Sequence, residues 1–352
     1  MSDFSFDLKL LRELTGKPGV SGREQSVIKL IQENLPPEFE IETDVLGNLT
    51  AHLPGNGKKL MYLAHADEVG LMVQRIMPNG FLSVERIGGI SIPALPGARM
   101  DLWTETSHIP AQVGILPGHL DSDAQIKLND CFIDIGANTD KEAVEMGVQT
   151  GDVLTWSHNF QQLNKHIISS KALDDRLGCF ALLVIARTIA KQTIPVDLTF
   201  AFSVQEENML SGNLPIIHKV QPDIVIGIDG TLVFDTPDLF GKQSDIRLGK
   251  GPVLKWMDAI HGKLTVYVPD LKLSQRIRKI AQEHNVPFQQ EVMTGLSTAL
   301  TPVPYQGLGI RTSALSLPIR YHHSPIESAH LNDLIALINL LDRFIQSCNL
   351  QE

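Results

Sequence analysis

Cysteine is scarce in this chain. Only Cys131, Cys179 and Cys348 occur in 352 residues. They are odd in number, far apart and form no C-x-x-C pair, which excludes a disulfide framework. Long apolar runs are also missing, and no stretch approaches the roughly 18–20 residues that a membrane span requires. Basic clusters are lacking as well. Thirty Lys and Arg stand against forty Asp and Glu, for a formal net charge of −10. Without a basic stripe to neutralise phosphates, neither nucleic acid nor an anionic membrane surface is an expected partner. The opening stretch MSDFSFDLKLLRELTG carries early acids and no apolar h-region. No secretory signal is therefore expected, and the cytoplasm is the expected location.

What is present is the balance of an ordinary globular protein, with 43% hydrophobic and 20% charged residues. The length predicts about two domains. The 27 glycines and 20 prolines are spread along the chain rather than pooled in a linker. Apolar positions at helical spacing predict helices over Phe6 to Thr15 and Gly22 to Leu35, the second with Ser21 as N-cap and Glu24 completing a capping box. Strand-like runs follow at Phe39 to Asp44, Leu49 to Leu53 and Lys59 to Ala64. Between Leu71 and Asn164 the texture changes to short β runs broken by Gly and Pro, as in IGGISIPALPGAR, QVGILPGHL and GVQTGDVLTW, with one helix at Thr139 to Met146. The helix–strand alternation then resumes. Helices are expected from Asp174 to Ala190, Leu273 to His284 (basic on its outer face) and Leu331 to Ser347. Strands are expected at Val196 to Val204, Asp223 to Ile228, Lys263 to Val268 and Leu315 to Arg320. The prediction is an α/β domain built from residues 1–70 and 165–352, with helices on both faces of the sheet. A β-rich domain, residues 71–164, is inserted into it.

The chemistry-bearing residues recur at one kind of place. KLMYLA runs into His65-Ala66-Asp67, DLTFAFSVQ into Glu206-Glu207, PDIVIGI into Asp229, and SALSLPIRY into His322-His323. Four apolar β runs thus end in potential metal ligands, and open α/β sheets bind ligands beyond the carboxyl ends of their strands. A fifth candidate is Asp174-Asp175, before a long apolar helix, where one aspartate could equally serve as a cap. Each of these is ordinary alone. Arg176 could simply pair with the neighbouring aspartates. Imidazole and carboxylate without thiolate suit Zn²⁺, Co²⁺ or Mn²⁺. Five protein ligands are too many for one catalytic ion with an open position, but they suffice for two ions sharing a bridging carboxylate.

These motifs resemble the M42 family of metallo-aminopeptidases. The resemblance rests on HADEVG at His65, KALDDRLG at Lys171, QEE at Gln205, IDG and DTPD at Asp229 and Asp235, and RYHHSPIE at Arg320. Outside these, SGREQSVIKLI, VLGNL, RIGGI, FIDIGAN, TGDVLTW and RLGKGPV match in order, so it spans essentially the whole chain. It implies a mixed-sheet di-metal peptidase that removes the N-terminal residue of peptides through a metal-bound hydroxide. His65 and Asp229 would hold one ion, Glu207 and His323 the other, and Asp174 would bridge them. Glu206 would be the general base, and Asp67 would orient the His65 ring. The peptide after Asp174 would be cis. Residues 71–164 would form a barrel-like dimerisation domain, and the dimers would assemble into tetrahedral dodecamers.

Two segments depart from the family pattern: Asn208 to Asn213, in place of Val-Gly and Arg-Gly-Ala, and Gly295 to Ala299, in place of Gly-Gly-Thr-Asp-Ala. No metal ligand or catalytic carboxylate is lost by either, so they bear on substrate choice more than on hydrolysis. The alternatives are a metal-dependent deacylase of a small amide and a non-catalytic oligomeric homologue.

Overall fold

The computed structural model describes residues 8–120, 126–209, 212–260 and 266–348. Two amphipathic helices, α1 (Leu8–Gly16) and α2 (Gln25–Asn34), turn Leu10, Leu11, Leu14, Val27 and Ile31 inward. The strands β1 (Glu40–Thr43), β2 (Leu49–Leu53) and β3 (Lys59–His65) follow. The chain then enters β4 (Gly70–Ile76), β5 (Leu82–Ile87), β6 (Arg99–Trp103), β7 (His108–Val113), β8 (Ile133–Asp134), the helix α3 (Asp140–Glu145) and β9 (Val153–Trp156). These six strands close into a barrel in the order β4-β5-β8-β7-β6-β9. Strict alternation of buried and exposed residues along β7 shows how period-2 patterning fills its interior. That interior holds Leu71, Leu82, Met100, Leu102, Ile133 and Trp156. The Thr139 hydroxyl caps α3 by accepting from the Glu142 amide at 3.1 Å.

After β10 (Gln161–Gln162) and β11 (Ile167–Ser170) come α4 (Leu173–Ile189), β12 (Asp197–Ser203), α5 (Glu206–Met209), α6 (Leu214–Val220) and β13 (Ile224–Leu232). The remainder is β14 (Val253–Ala259), β15 (Val266–Tyr267), α7 (Leu271–Glu283), β16 (Gln289–Thr294), β17 (Arg311–Ile319), β18 (Glu327–His330) and α8 (Leu331–Ser347). A mixed sheet of nine described strands runs β1-β2-β12-β3-β13-β17-β14-β15, with β16 also paired to β14. Its centre, β12-β3-β13-β17, is parallel throughout, so four carboxyl ends emerge together. Such strands are buried on both faces and are correspondingly apolar. One face packs on α1, α2, α4 and α8 through Leu60, Tyr62, Phe200, Ile226 and Leu315. The other packs Met61, Leu63, Val225 and Ala314 against Ile216 and Ile217 of α6 and Leu300. No described helix is long and apolar enough to cross a membrane.

Several expectations shift. Ser21 does not cap α2, which begins at Gln25 and has no side-chain cap. The Ser21 hydroxyl donates instead to Asp67 Oδ2 at 2.6 Å, and Glu24 Oε1 accepts from the Gly22 and Gln205 amides at 2.7 and 3.0 Å. Tertiary partners have taken both groups. Strand β13 runs three residues past Asp229, so that ligand candidate lies within a strand rather than after one. Strands β14 and β16 were not foreseen, because Lys255, Asp258 and Glu291 interrupt their apolar pattern. All three are buried, with Lys255 Nζ 2.8 Å from Asp258 Oδ1 and 2.7 Å from Glu291 Oε2. Of the strand expected at Lys263 to Val268, residues 263–265 lie outside the described residues and Val266–Tyr267 is β15.

Phe200 tests the packing between the central sheet and its helices. It is fully buried, with ring centroids 5.6 Å from Phe39 and 6.0 Å from Tyr62. Truncation by Phe200→Ala should cost about 3–5 kcal/mol. The urea unfolding midpoint should fall clearly, and less for Phe200→Leu. An unchanged midpoint for the alanine variant would contradict this packing.

Candidate metal centre

The parallel strands bring the candidates to one place. His65 ends β3, Asp229 lies on β13, Glu206 and Glu207 open α5 just beyond β12, and His322 and His323 follow β17. Asp174 joins them from the start of α4. Its own φ/ψ and those of Asp175 are not helical, and the peptide between them is cis, as expected. Asp175 takes the capping role, with Oδ1 accepting from the Gly178 amide at 3.0 Å. Asp174 is thereby free to face the cluster.

Its two oxygens face different ways. Oδ1 lies 3.3 Å from His65 Nε2, which is itself 3.8 Å from Asp229 Oδ1. Oδ2 lies 2.9 Å from His322 Nε2 and 3.4 Å from His323 Nε2. His323 Nε2 also reaches Glu207 Oε1 at 3.2 Å. Two groups therefore have ligand atoms close enough to share an ion: His65, Asp174 and Asp229, and Asp174, His322 and His323. Asp174 belongs to both. Gly230 leaves the space for this, since a Cβ there would stand 2.7 Å from His322 Nε2 and 2.9 Å from Asp174 Oδ1.

Asp67 holds the turn that carries the paired glutamates. Its Oδ1 accepts from the Glu206 amide and its Oδ2 from the Glu207 amide, each at 3.0 Å. Its Oδ1 also lies 3.4 Å from His65 Nδ1, at the margin of a useful contact. Glu327 is a residue the strand-end reasoning passed over. Its Oε1 accepts from the His323 amide at 2.7 Å and its Oε2 from the Asp174 amide at 3.1 Å, which ties the two proposed ligands together. Glu68 is another. Lys171 Nζ donates to both its oxygens at 2.7 Å, and Arg176 Nη2 lies 3.4 Å away. Arg176 is thus buried against Glu68 and the Leu14 carbonyl, not paired with the neighbouring aspartates. Both residues sit inside motifs already noted, HADEVG and RYHHSPIE, but nothing in their type marked them as buried.

Six carboxyl groups (Asp67, Asp174, Asp175, Glu206, Glu207 and Asp229) crowd three imidazoles. Burial and the charges of Asp229, Glu207 and Asp67 push the Glu206 carboxyl well above its usual range, though His65 pulls the other way. Burial likewise raises Asp229 to about 6. Burial disfavours protonated His65, but the facing Asp174, Asp229 and Asp67 outweigh it and hold the ring well above its ordinary pKa. For Asp174 burial is again overcome, here by His322, His323 and His65, and its carboxyl sits well below the normal range. Buried atoms without a hydrogen-bond partner include Glu206 Oε1 and Asp229 Oδ2. An excess of buried carboxylate with orphaned oxygens is what divalent ions would satisfy, and the donor set fits them. Backbone strain gathers here too. Ala172, Gln205, Tyr321 and His323 all have φ between 55° and 61°, a left-handed conformation that non-glycine residues rarely adopt.

The two departing segments meet. Asn213 Nδ2 donates to the Ala299 carbonyl at 2.8 Å, and Asn48 Nδ2 donates to the Gly212 carbonyl at 2.8 Å. Residues 210 and 211 lie outside the described residues.

Comparison with known proteins agrees with this geometry. The model of the M42 glutamyl aminopeptidase family matches residues 47–340. SgcX of Escherichia coli (strain K12) is 37% identical, over 92% of this chain and 88% of its own. The aminopeptidase APDkam598 from the archaeon Desulfurococcus kamchatkensis superposes with a TM-score of 0.92 at 30% identity, over 97% of this chain and 94% of that one. The TET1 peptidase of Pyrococcus horikoshii, which can assemble into a tetrahedron or a large octahedral shell, gives 0.86 at 29% identity, over 97% and 99% of the two chains. A family match over most of the length, joined to a metal-suited cluster at the strand ends, places this chain in the M42 glutamyl aminopeptidase family, as an aminopeptidase.

Proposed function

We propose that this aminopeptidase works with two divalent ions, Zn²⁺ or Co²⁺ foremost and Mn²⁺ as an alternative. His65 and Asp229 would hold one, Glu207 and His323 the other, and Asp174 would serve both. The observation that carries this reading is the Asp174 carboxylate, which offers one oxygen to each of two ligand groups. His323 is preferred to His322 because its Nε2 meets both Asp174 and Glu207, whereas His322 Nε2 meets Asp174 alone. Bound ions supply Lewis acidity, polarising the scissile carbonyl and acidifying the attacking water.

The remaining work falls to the chain. Glu206 is the general base: its Oε1 is buried and unpartnered beside the ligand candidates, free to accept a proton. It takes a proton from water and returns it to the leaving nitrogen. Asp67 positions Glu206 and Glu207 by holding both their amides. The joined segments around Asn213 and Ala299 depart from the family pattern and bear on substrate choice. The substrates are peptides with a free N-terminus.

The barrel, within the inserted domain of residues 71–164, serves dimerisation, and the dimers build a tetrahedral dodecamer. Its exposed Ile115, Leu116, Leu120 and Phe132 are apolar surface of the kind an interface covers, and the P. horikoshii relative forms such shells. The three cysteines are free and buried, which suits the reducing cytoplasm.

Metal analysis separates the roles. Asp174→Ala should lose both ions, while His65→Ala and His323→Ala should each lose one. His322→Ala should retain both, and an ion lost there would transfer the assignment to His322. Glu206→Gln should retain both ions while kcat on an aminoacyl amide falls by about 10²–10⁴ or more. A near-normal rate would remove Glu206 from the mechanism. A chelator should abolish turnover, and Zn²⁺ or Co²⁺ should restore it. Peptides acetylated at the N-terminus should resist cleavage, and their efficient hydrolysis would favour a deacylase.

A further inference from the structure

The strands that deliver ligands at one end have another end, and there cations gather around one cavity. Lys58 precedes β3, Arg311 opens β17, and α7 passes beside them. A cavity of about 790 Å³ lies among these elements. Five cations line it (Lys58, Lys272, Arg276, Lys279 and Arg311) against a single carboxylate, Glu283. The buried part of its wall, a floor of Ile224, Leu273 and Ile280, is apolar.

This concentration of one sign is unusual in a chain of net charge −10. Unit charges 4 Å apart repel by about 1 kcal/mol in water and by more where low-dielectric walls surround them. Glu283 Oε1 is 3.7 Å from Lys279 Nζ, and among the described residues no carboxylate pairs with Lys272 or Arg311. Helix stability does not explain the arrangement either, because Lys272 sits in the first turn of α7, where the helix dipole disfavours a cation. Lys272, Arg276 and Lys279 recur at helical spacing on one face. Arg276 is held in place, with Nη2 donating to the Ser347 carbonyl at 2.5 Å and its guanidinium over the Phe344 ring at 5.7 Å. A concave wall of like charges focuses its field on whatever enters.

We propose that this cavity binds a small phosphorylated ligand of nucleotide size, its phosphates among the cations and its less polar body on the floor of Ile224, Leu273 and Ile280. The volume falls within the range of small-molecule sites, roughly 300–1,000 Å³. The site is separate from the metal centre: Asp229 lies five residues beyond Ile224 on the same strand, about 17 Å away. An extended nucleic acid would need a basic track, and a single cavity does not provide one.

Titration calorimetry of the assembled, metal-loaded protein at physiological salt tests this, with ATP, citrate and a ten-nucleotide single strand as probes. The comparison protein is the double variant Lys272→Glu/Arg311→Glu. It alters two exposed side chains and keeps the metal centre, so phosphate binding at the ions would persist in it. ATP should bind saturably to the wild type and about tenfold or more weakly to the variant, with aminopeptidase kcat measured without ATP equal in both. Raising the salt should weaken the wild-type binding. Equal ATP affinity in the two proteins, or no saturable binding to the wild type, overturns the proposal. Citrate matching ATP would overturn phosphate recognition, and the oligonucleotide binding more tightly than ATP would replace the small ligand with nucleic acid.

Discussion

The carboxylate of Asp174 faces two ways, and the site is arranged around that fact. One oxygen meets His65 beside Asp229, while the other meets His322 and His323 beside Glu207. Crowding so many buried carboxyls is unfavourable unless cations or protons neutralise them. The raised Glu206 and Asp229 and the lowered Asp174 express that conflict. Much of the surrounding framework keeps this one group in position: Asp175 taking the cap, Gly230 leaving space, and Glu327 holding its amide.

The parallel centre of the sheet explains why the site can exist. Side-by-side strands with a common direction deliver their carboxyl ends to one rim, and turns there can carry polar residues that the strand interiors could not hold. The same geometry collects the amino ends on the opposite rim, where cations from separate segments come together. An acidic chain thus carries a cation-lined cavity at the end of the sheet away from its carboxylate cluster. Lys272, Arg276 and Lys279 share α7, and the fold adds Lys58 and Arg311 from distant segments.

Much of the fold could be read from residue patterns, and the exceptions share a cause. Runs such as KLMYLA and the helix Leu331–Ser347 follow simple apolar patterning, and both form as expected, the strand one residue longer at His65. Strands β14 and β16 escaped because Lys255, Asp258 and Glu291 look like surface residues; they are buried because they neutralise one another. Ser21 and Glu24 imitate a capping box, yet partners brought in from Asp67 and Gln205 compete for the same groups. Arg176 beside two aspartates looks like their partner, but Glu68 claims it from another segment. Local rules fail here where a distant charge or amide offers a better bond.

By itself the sequence determined the alternation of helices and strands, the β-rich middle, and the habit of placing His, Asp and Glu where apolar strands end. Those properties are local, since hydrophobic periodicity and residue type do not depend on distant neighbours. Only the tertiary structure decided which atoms meet. It turned the two oxygens of Asp174 toward different groups, set His322 as close to the cluster as His323, tied Asn213 to Ala299, and gathered Lys58, Lys272 and Arg311 around one cavity. Each of these depends on segments tens or hundreds of residues apart being brought within a few ångströms, and strand order and register, not composition, control that.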